Sequence, residues 1–202
     1  TIEQKTPSRA LYLGAENTAG LSIKADALSG ANKKIADGFK EIELGRADGT
    51  GKAYVSGEVH LDNPTTINGL GGVEFTGGKI VGNNKDVGIR GKRFKMDAAS
   101  ELTAGSGNLM IAADTLDIAG APNGSARVYG SGRLNVKTLD TARDLYLQKG
   151  AKTTDLDALG GLNLFSEYFE DDDPAHDVTD TRVFRDGFSL ITIGDDNATG
   201  NL

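Results

Sequence analysis

The densest set of possible ligand atoms in the chain is the run Glu170-Asp171-Asp172-Asp173-Pro174-Ala175-His176-Asp177-Val178-Thr179-Asp180. Carboxylates this close repel one another, and a bound cation relieves the repulsion. Calcium takes about six to eight oxygens at ~2.3–2.6 Å. Asp171, Asp172, Asp173, Asp177 and Asp180, with nearby backbone carbonyls, could supply them. Calcium is therefore the one cofactor expected, with these five aspartates as its candidate metal ligands. The spacing is not that of an EF-hand, because the Gly of the sharp turn and the closing Glu are missing. A solvated acidic loop has the same composition, and both readings stand.

Other chemistry is sparse. Glu58, Asp86, Asp114 and Asp117 would make a carboxylate group if the fold brought them to one face, as in polysaccharide lyases and hydrolases. Sugar-binding grooves use aromatic platforms, however, and the chain has seven Phe, five Tyr and no Trp. His60 alternates out of phase with Val59 and Leu61 and should face solvent. No Ser/His/Asp set is visible, and with no Cys there is no thiolate chemistry, disulfide or Cys-based zinc site. No catalytic residue is assigned, and the expectation is a protein that is not an enzyme. A carbohydrate-active enzyme is the alternative.

The elements that would position such residues are short. Apolar pairs two residues apart recur at Leu11/Leu13, Leu21/Ile23, Ile42/Leu44, Val59/Leu61, Val73/Phe75, Leu109/Ile111, Leu116/Ile118, Leu134/Val136, Leu145/Leu147 and Leu162/Leu164. This is the signature of strands with one buried face. Gly-rich clusters such as Gly71-Gly72, Gly82-Asn83-Asn84 and Gly130-Ser131-Gly132 separate them as turns. Asp26 to Phe39 reads as a short helix or a long loop. Asp140 to Leu147 reads as one helical turn or a strand.

Repetition decides between architectures. DGFKEIELGRADGTGKA (37–53) returns as DGFSLITIGDDNATGNL (186–202), with seven identical positions. Gly107-Asn108-Leu109-Met110-Ile111 returns as Gly132-Arg133-Leu134-Asn135-Val136 after 25 residues, and Gly161-Leu162-Asn163-Leu164 follows loosely. Steps of ~20–30 residues with irregular insertions fit a solenoid. The expected fold is all-β, a right-handed parallel β-helix of about eight to ten coils, in which inward aliphatics stack and outward polar residues meet water. An antiparallel β-sandwich is the rival. The expected organisation is solenoid coils over 1–166, an acidic loop or linker over 167–185, and the start of the next repeat over 186–202.

The net charge of −7 is concentrated. Glu167 to Asp196 holds ten acidic and two basic residues, and the rest is close to neutral. A body with no basic stripe does not suit nucleic acid. No run reaches the ~18 apolar residues of a membrane helix. The first residue is Thr, which fits a processed chain or an internal piece.

Asp37-Gly38-Phe39, Ile42-Glu43-Leu44-Gly45-Arg46-Ala47-Asp48-Gly49-Thr50-Gly51, Val59-His60-Leu61 and Gly105-Ser106-Gly107-Asn108-Leu109-Met110-Ile111 resemble repeats of filamentous-haemagglutinin-like bacterial surface proteins. The resemblance covers most of 37–138 and resumes at 186. It implies a structural or adhesive segment of a long secreted fibre, located extracellularly or on a bacterial cell surface. The implied partners are further repeats of the same chain or other copies end to end, and carbohydrate or a host surface. It carries no catalytic residues.

Overall fold

The computed structural model describes residues 1–31, 33–119, 126–149, 156, 159–169, 182–195 and 199–200. Sixteen strands occur among them: β1 (Leu11–Gly14), β2 (Leu21–Lys24), β3 (Ile42–Leu44), β4 (Ala53–Val55), β5 (Glu58–His60), β6 (Thr65–Asn68), β7 (Val73–Phe75), β8 (Lys79–Val81), β9 (Val87–Met96), β10 (Glu101–Gly105), β11 (Leu109–Ile118), β12 (Arg127–Gly130), β13 (Arg133–Lys137), β14 (Leu145–Gln148), β15 (Leu162–Phe165) and β16 (Leu190–Ile193). Every paired strand runs parallel to its neighbours. No α-helix occurs among the described residues; Ala25–Ala27 and Ser166–Tyr168 are single 3-10 turns.

The chain winds as a parallel β-solenoid of about four turns, each contributing a strand to three faces. The first face stacks β3, β6, the first half of β9, the first half of β11, β13 and β16. The second stacks β2, β1, β4, β7 and the second halves of β9 and β11. The third stacks β5, β8, β10 and β12. β9 and β11 each run across a corner, so one strand serves two faces. Gly91 marks that corner in β9; a side chain there would strike the Gly69 carbonyl.

The eight to ten coils expected from the sequence are too many. Thr65 pairs with Val87, and Val87 with Leu109, so a turn of three strands takes about 22 residues. Residues before β3 and after β13 build the two ends instead of further regular turns.

Inward positions repeat one above the other. Thr65, Val87, Leu109 and Leu134 form one column, and Ile67, Ile89, Ile111 and Val136 form the next. Leu11, Val73, Phe94 and Ile111 are inaccessible to solvent, and the inward residues form one continuous core. Burying an aliphatic side chain stabilises by roughly 1.5–3 kcal/mol, so stability is distributed along the axis as contacts between neighbouring turns.

Candidate functional site

The five candidate calcium ligands, Asp171, Asp172, Asp173, Asp177 and Asp180, lie outside the described residues. Among the described residues no group of three or more His, Asp or Glu is arranged to hold a metal ion. No helix among them is long and apolar enough to cross a membrane.

The four candidate carboxylates are separated by the fold. Glu58 is on the third face and Asp117 on the second, while Asp86 precedes the first and Asp114 sits at the corner of β11. Each has its own partner. Glu58 meets His60 Nε2 at 2.7 Å, Asp86 accepts from the Asn108 N–H at 2.7 Å, Asp114 accepts from the Asp140 N–H at 3.0 Å, and Arg93 donates to Asp117 at 2.9 Å. His60 points outward as expected and is half-buried, held between Glu58 and Asn83.

A shallow groove of about 440 Å³ runs along the outside of the first face. Gly88 makes its floor low, since a Cβ there would meet the Thr66 hydroxyl and the Met110 methyl. Glu41, Asp86, Lys40 and Arg133 give it mixed charge at its margins.

The larger departure from an ordinary closed domain is at the C-terminal end of the stack. Leu147, an inward position by its alternation with Leu145, is 69% exposed. Ile191 on β16, in the column of Leu134, is 40% exposed. Tyr146 and Leu190 lie open beside them. At the other end the core is covered: Leu28 is buried, and Ile2, Leu21 and Ile35 pack against it.

The two ends are built alike, far beyond the seven identities of the repeated phrase. β1 pairs with β2, and a 3-10 turn follows; β14 pairs with β15, and a 3-10 turn follows. The Leu21 N–H donates to the Ala10 carbonyl at 3.0 Å, and the Leu162 N–H to Asp144 at 2.9 Å. Gly45 N–H donates to the Ile2 carbonyl, and Gly194 N–H to Val136, both at 2.8 Å. Thr50 and Gly51 donate to the Pro7 carbonyl; Thr199 and Gly200 donate to Thr141. Lys33 pairs with Asp37, and Arg182 with Asp186, each four residues apart. Asp37 and Asp62 hold the Lys33 ammonium above its ordinary pKa.

Two pairs of glycines explain part of the repeated phrase. Gly51 and Gly200 each pass so close to another chain segment that a Cβ would lie 2.1 Å from the carbonyl of Arg9 or Arg143. Gly45 and Gly194 both take φ near +100°, at +91° and +104°, which a residue with a Cβ adopts only with strain. Phe39 and Phe188, equivalent in the repeated phrase, differ. Phe39 is 54% exposed, whereas Phe188 packs beside Gly130 and against the core.

Fold and ends together define a parallel β-solenoid whose terminal segments are copies of one structural unit. No protein-family model, curated protein or solved structure matches the chain.

Proposed function

We propose that this chain is a structural and adhesive segment of a long secreted bacterial β-solenoid, a surface protein or fibre lengthened end to end by further turns. One observation carries the reading: the C-terminal end repeats the architecture of the N-terminal end while leaving its inward side chains uncovered. Solenoid stability is a sum over neighbouring turns, so an uncovered turn gains by stacking. Open parallel strand edges also recruit further strands. The likeness of the Asp-Gly-Phe phrase and the Gly-rich coils to filamentous-haemagglutinin-like repeats supports the extracellular setting. The groove on the first face is the surface offered for carbohydrate or host contact. The reading gives the chain no catalytic role.

Calcium belongs to the same proposal. The aspartates at 171, 172, 173, 177 and 180 have the charge density for a weak extracellular site, and millimolar calcium would fill it.

The test is made on cells that carry the native protein. An antibody raised against residues 1–202 should label intact, unpermeabilised cells and detect on a denaturing gel a polypeptide well above 21.1 kDa. A cytoplasmic species near that mass, with no surface labelling, would overturn the proposal.

A further inference from the structure

The matching ends specify what belongs on the open one. β14 holds the place of β1: Arg9-Ala10-Leu11-Tyr12-Leu13 corresponds to Arg143-Asp144-Leu145-Tyr146-Leu147. The edge of β1 away from β2 is occupied by β4, with Leu11 opposite Ala53 and Leu13 opposite Val55. The Leu11 N–H donates to the Lys52 carbonyl at 2.9 Å, and the Ser56 N–H to the Leu13 carbonyl at 3.0 Å. The Tyr12 ring stacks on Tyr54 at 5.2 Å, 15° from parallel. So covered, Leu13 is wholly buried, whereas its counterpart Leu147 is 69% exposed. β16 holds the place of β3, whose far edge is occupied by β6, with Ile42 opposite Thr65 and Leu44 opposite Ile67.

We infer that the face formed by β14 and β16 is the seat of a solenoid turn of the β4–β6 kind, in the register by which the repeated phrase aligns Ala53 with Leu202. Its chemistry is specific. It presents an aromatic ring to Tyr146, a β-branched residue to Leu147, and a Thr-x-Ile strand to Ile191 and Ile193. The N-terminal face of a second copy does not meet this description. Ile2 corresponds to Val136, so its strand belongs on the edge of a turn like β11, where β13 lies. Head-to-tail stacking of two copies would set the far edge of β14 against β2, whereas that edge of its counterpart β1 holds β4. This inference rests on the array reading above and adds which turn comes next and in what register.

The experiment extends the full chain in two ways. In one, residues 54–202 follow Leu202, which keeps the register; in the other, residues 1–202 follow Leu202. Amide hydrogen exchange is read at Leu145–Gln148 and Leu190–Ile193 of the first unit. The register-matched chain should slow exchange there by more than about tenfold relative to residues 1–202 alone, reaching the protection of β1 and β3. Equal or better protection in the second chain would overturn the register while leaving the array reading standing. No protection in either would overturn both. Should the longer chains precipitate, the peptide Lys52–Gly82 is added at millimolar concentration to residues 1–202. Protection by this peptide and not by its scrambled sequence supports the inference, and protection by neither overturns it.

Discussion

Leu13 and Leu147 are the same residue at matching places in two copies of one unit, and they differ only in what covers them. Leu13 has no solvent exposure and Leu147 is 69% exposed. Truncating a buried leucine to alanine costs roughly 2–5 kcal/mol, and about 3 kcal/mol is expected for Leu13→Ala. Leu147 keeps only a third of its burial, so of a full value of roughly 1.5–3 kcal/mol it contributes below about 1 kcal/mol. The assay is equilibrium urea unfolding followed by far-ultraviolet circular dichroism, since the chain has no Trp. At a slope of about 2–3 kcal/mol/M, Leu13→Ala should lower the midpoint by about 1–1.5 M and Leu147→Ala by less than about 0.5 M. A solenoid can unfold end by end, so exchange protection of β1 and β14 accompanies the melts. Equal shifts for the two variants would refute the reasoning, because they would mean that Leu147 is covered in solution by another copy.

The paired glycines separate two penalties: Gly45→Ala meets strain at +91° and a clash 2.1 Å from the Asn68 carbonyl, whereas Gly194→Ala meets strain alone, with nothing within 4 Å. Thermal melts should therefore show about 1–2 kcal/mol lost at Gly194 and at least twice that at Gly45. Burial holds the Tyr168 phenol well above its ordinary range; the unfolded phenol releases its proton near pH ~10 and the folded one does not. Stability present below that pH should fall as pH rises above it, by up to about 1.36 kcal/mol per pH unit, and Tyr168→Phe should flatten that part of the melting profile. Calcium at millimolar concentration should raise the melting midpoint of the wild type and not of Asp171→Ala/Asp173→Ala; an unchanged wild type would leave a solvated acidic loop.

The parallel solenoid was legible because its inward residues are aliphatic and alternate. Leu109/Ile111 and Leu134/Val136, read as a 25-residue step, are partners in β11 and β13. Strands with small, polar or interrupted inward positions were not visible. β4 buries Ala53, β6 buries Thr65, and β9 changes face at Gly91, which breaks the alternation between Ile89 and Phe94. Gly161-Leu162-Asn163-Leu164 looked like the next step after β13, but β15 pairs with β14 and matches Gly20-Leu21-Ser22-Ile23. The Arg-x-Leu-Tyr-Leu match is masked in the sequence because the offset between the copies changes along the chain. It is 134 residues at Leu11 and Leu145, 141 at Leu21 and Leu162, and 149 at Asp37 and Asp186. The sequence shows no obvious capping helix at either end, which is why end-to-end partners were expected, but the exposure of Leu147 in particular depends on the absence of a neighbour and not on its own sequence.

That drifting offset has a consequence for the surface of an array. The added length falls between β14 and β15 and between Phe169 and Arg182, and the second of these insertions is the acidic run. Strand positions are fixed by the core, so the length difference between the two copies is confined to these two sites. On the first face, β3 and β16 are five strand spacings apart, or about 24 Å at ~4.8 Å each. Anchors for such an insertion would recur along a fibre at about that interval. In the proposed array, one insertion could be exchanged for another, unit by unit, at the same pitch.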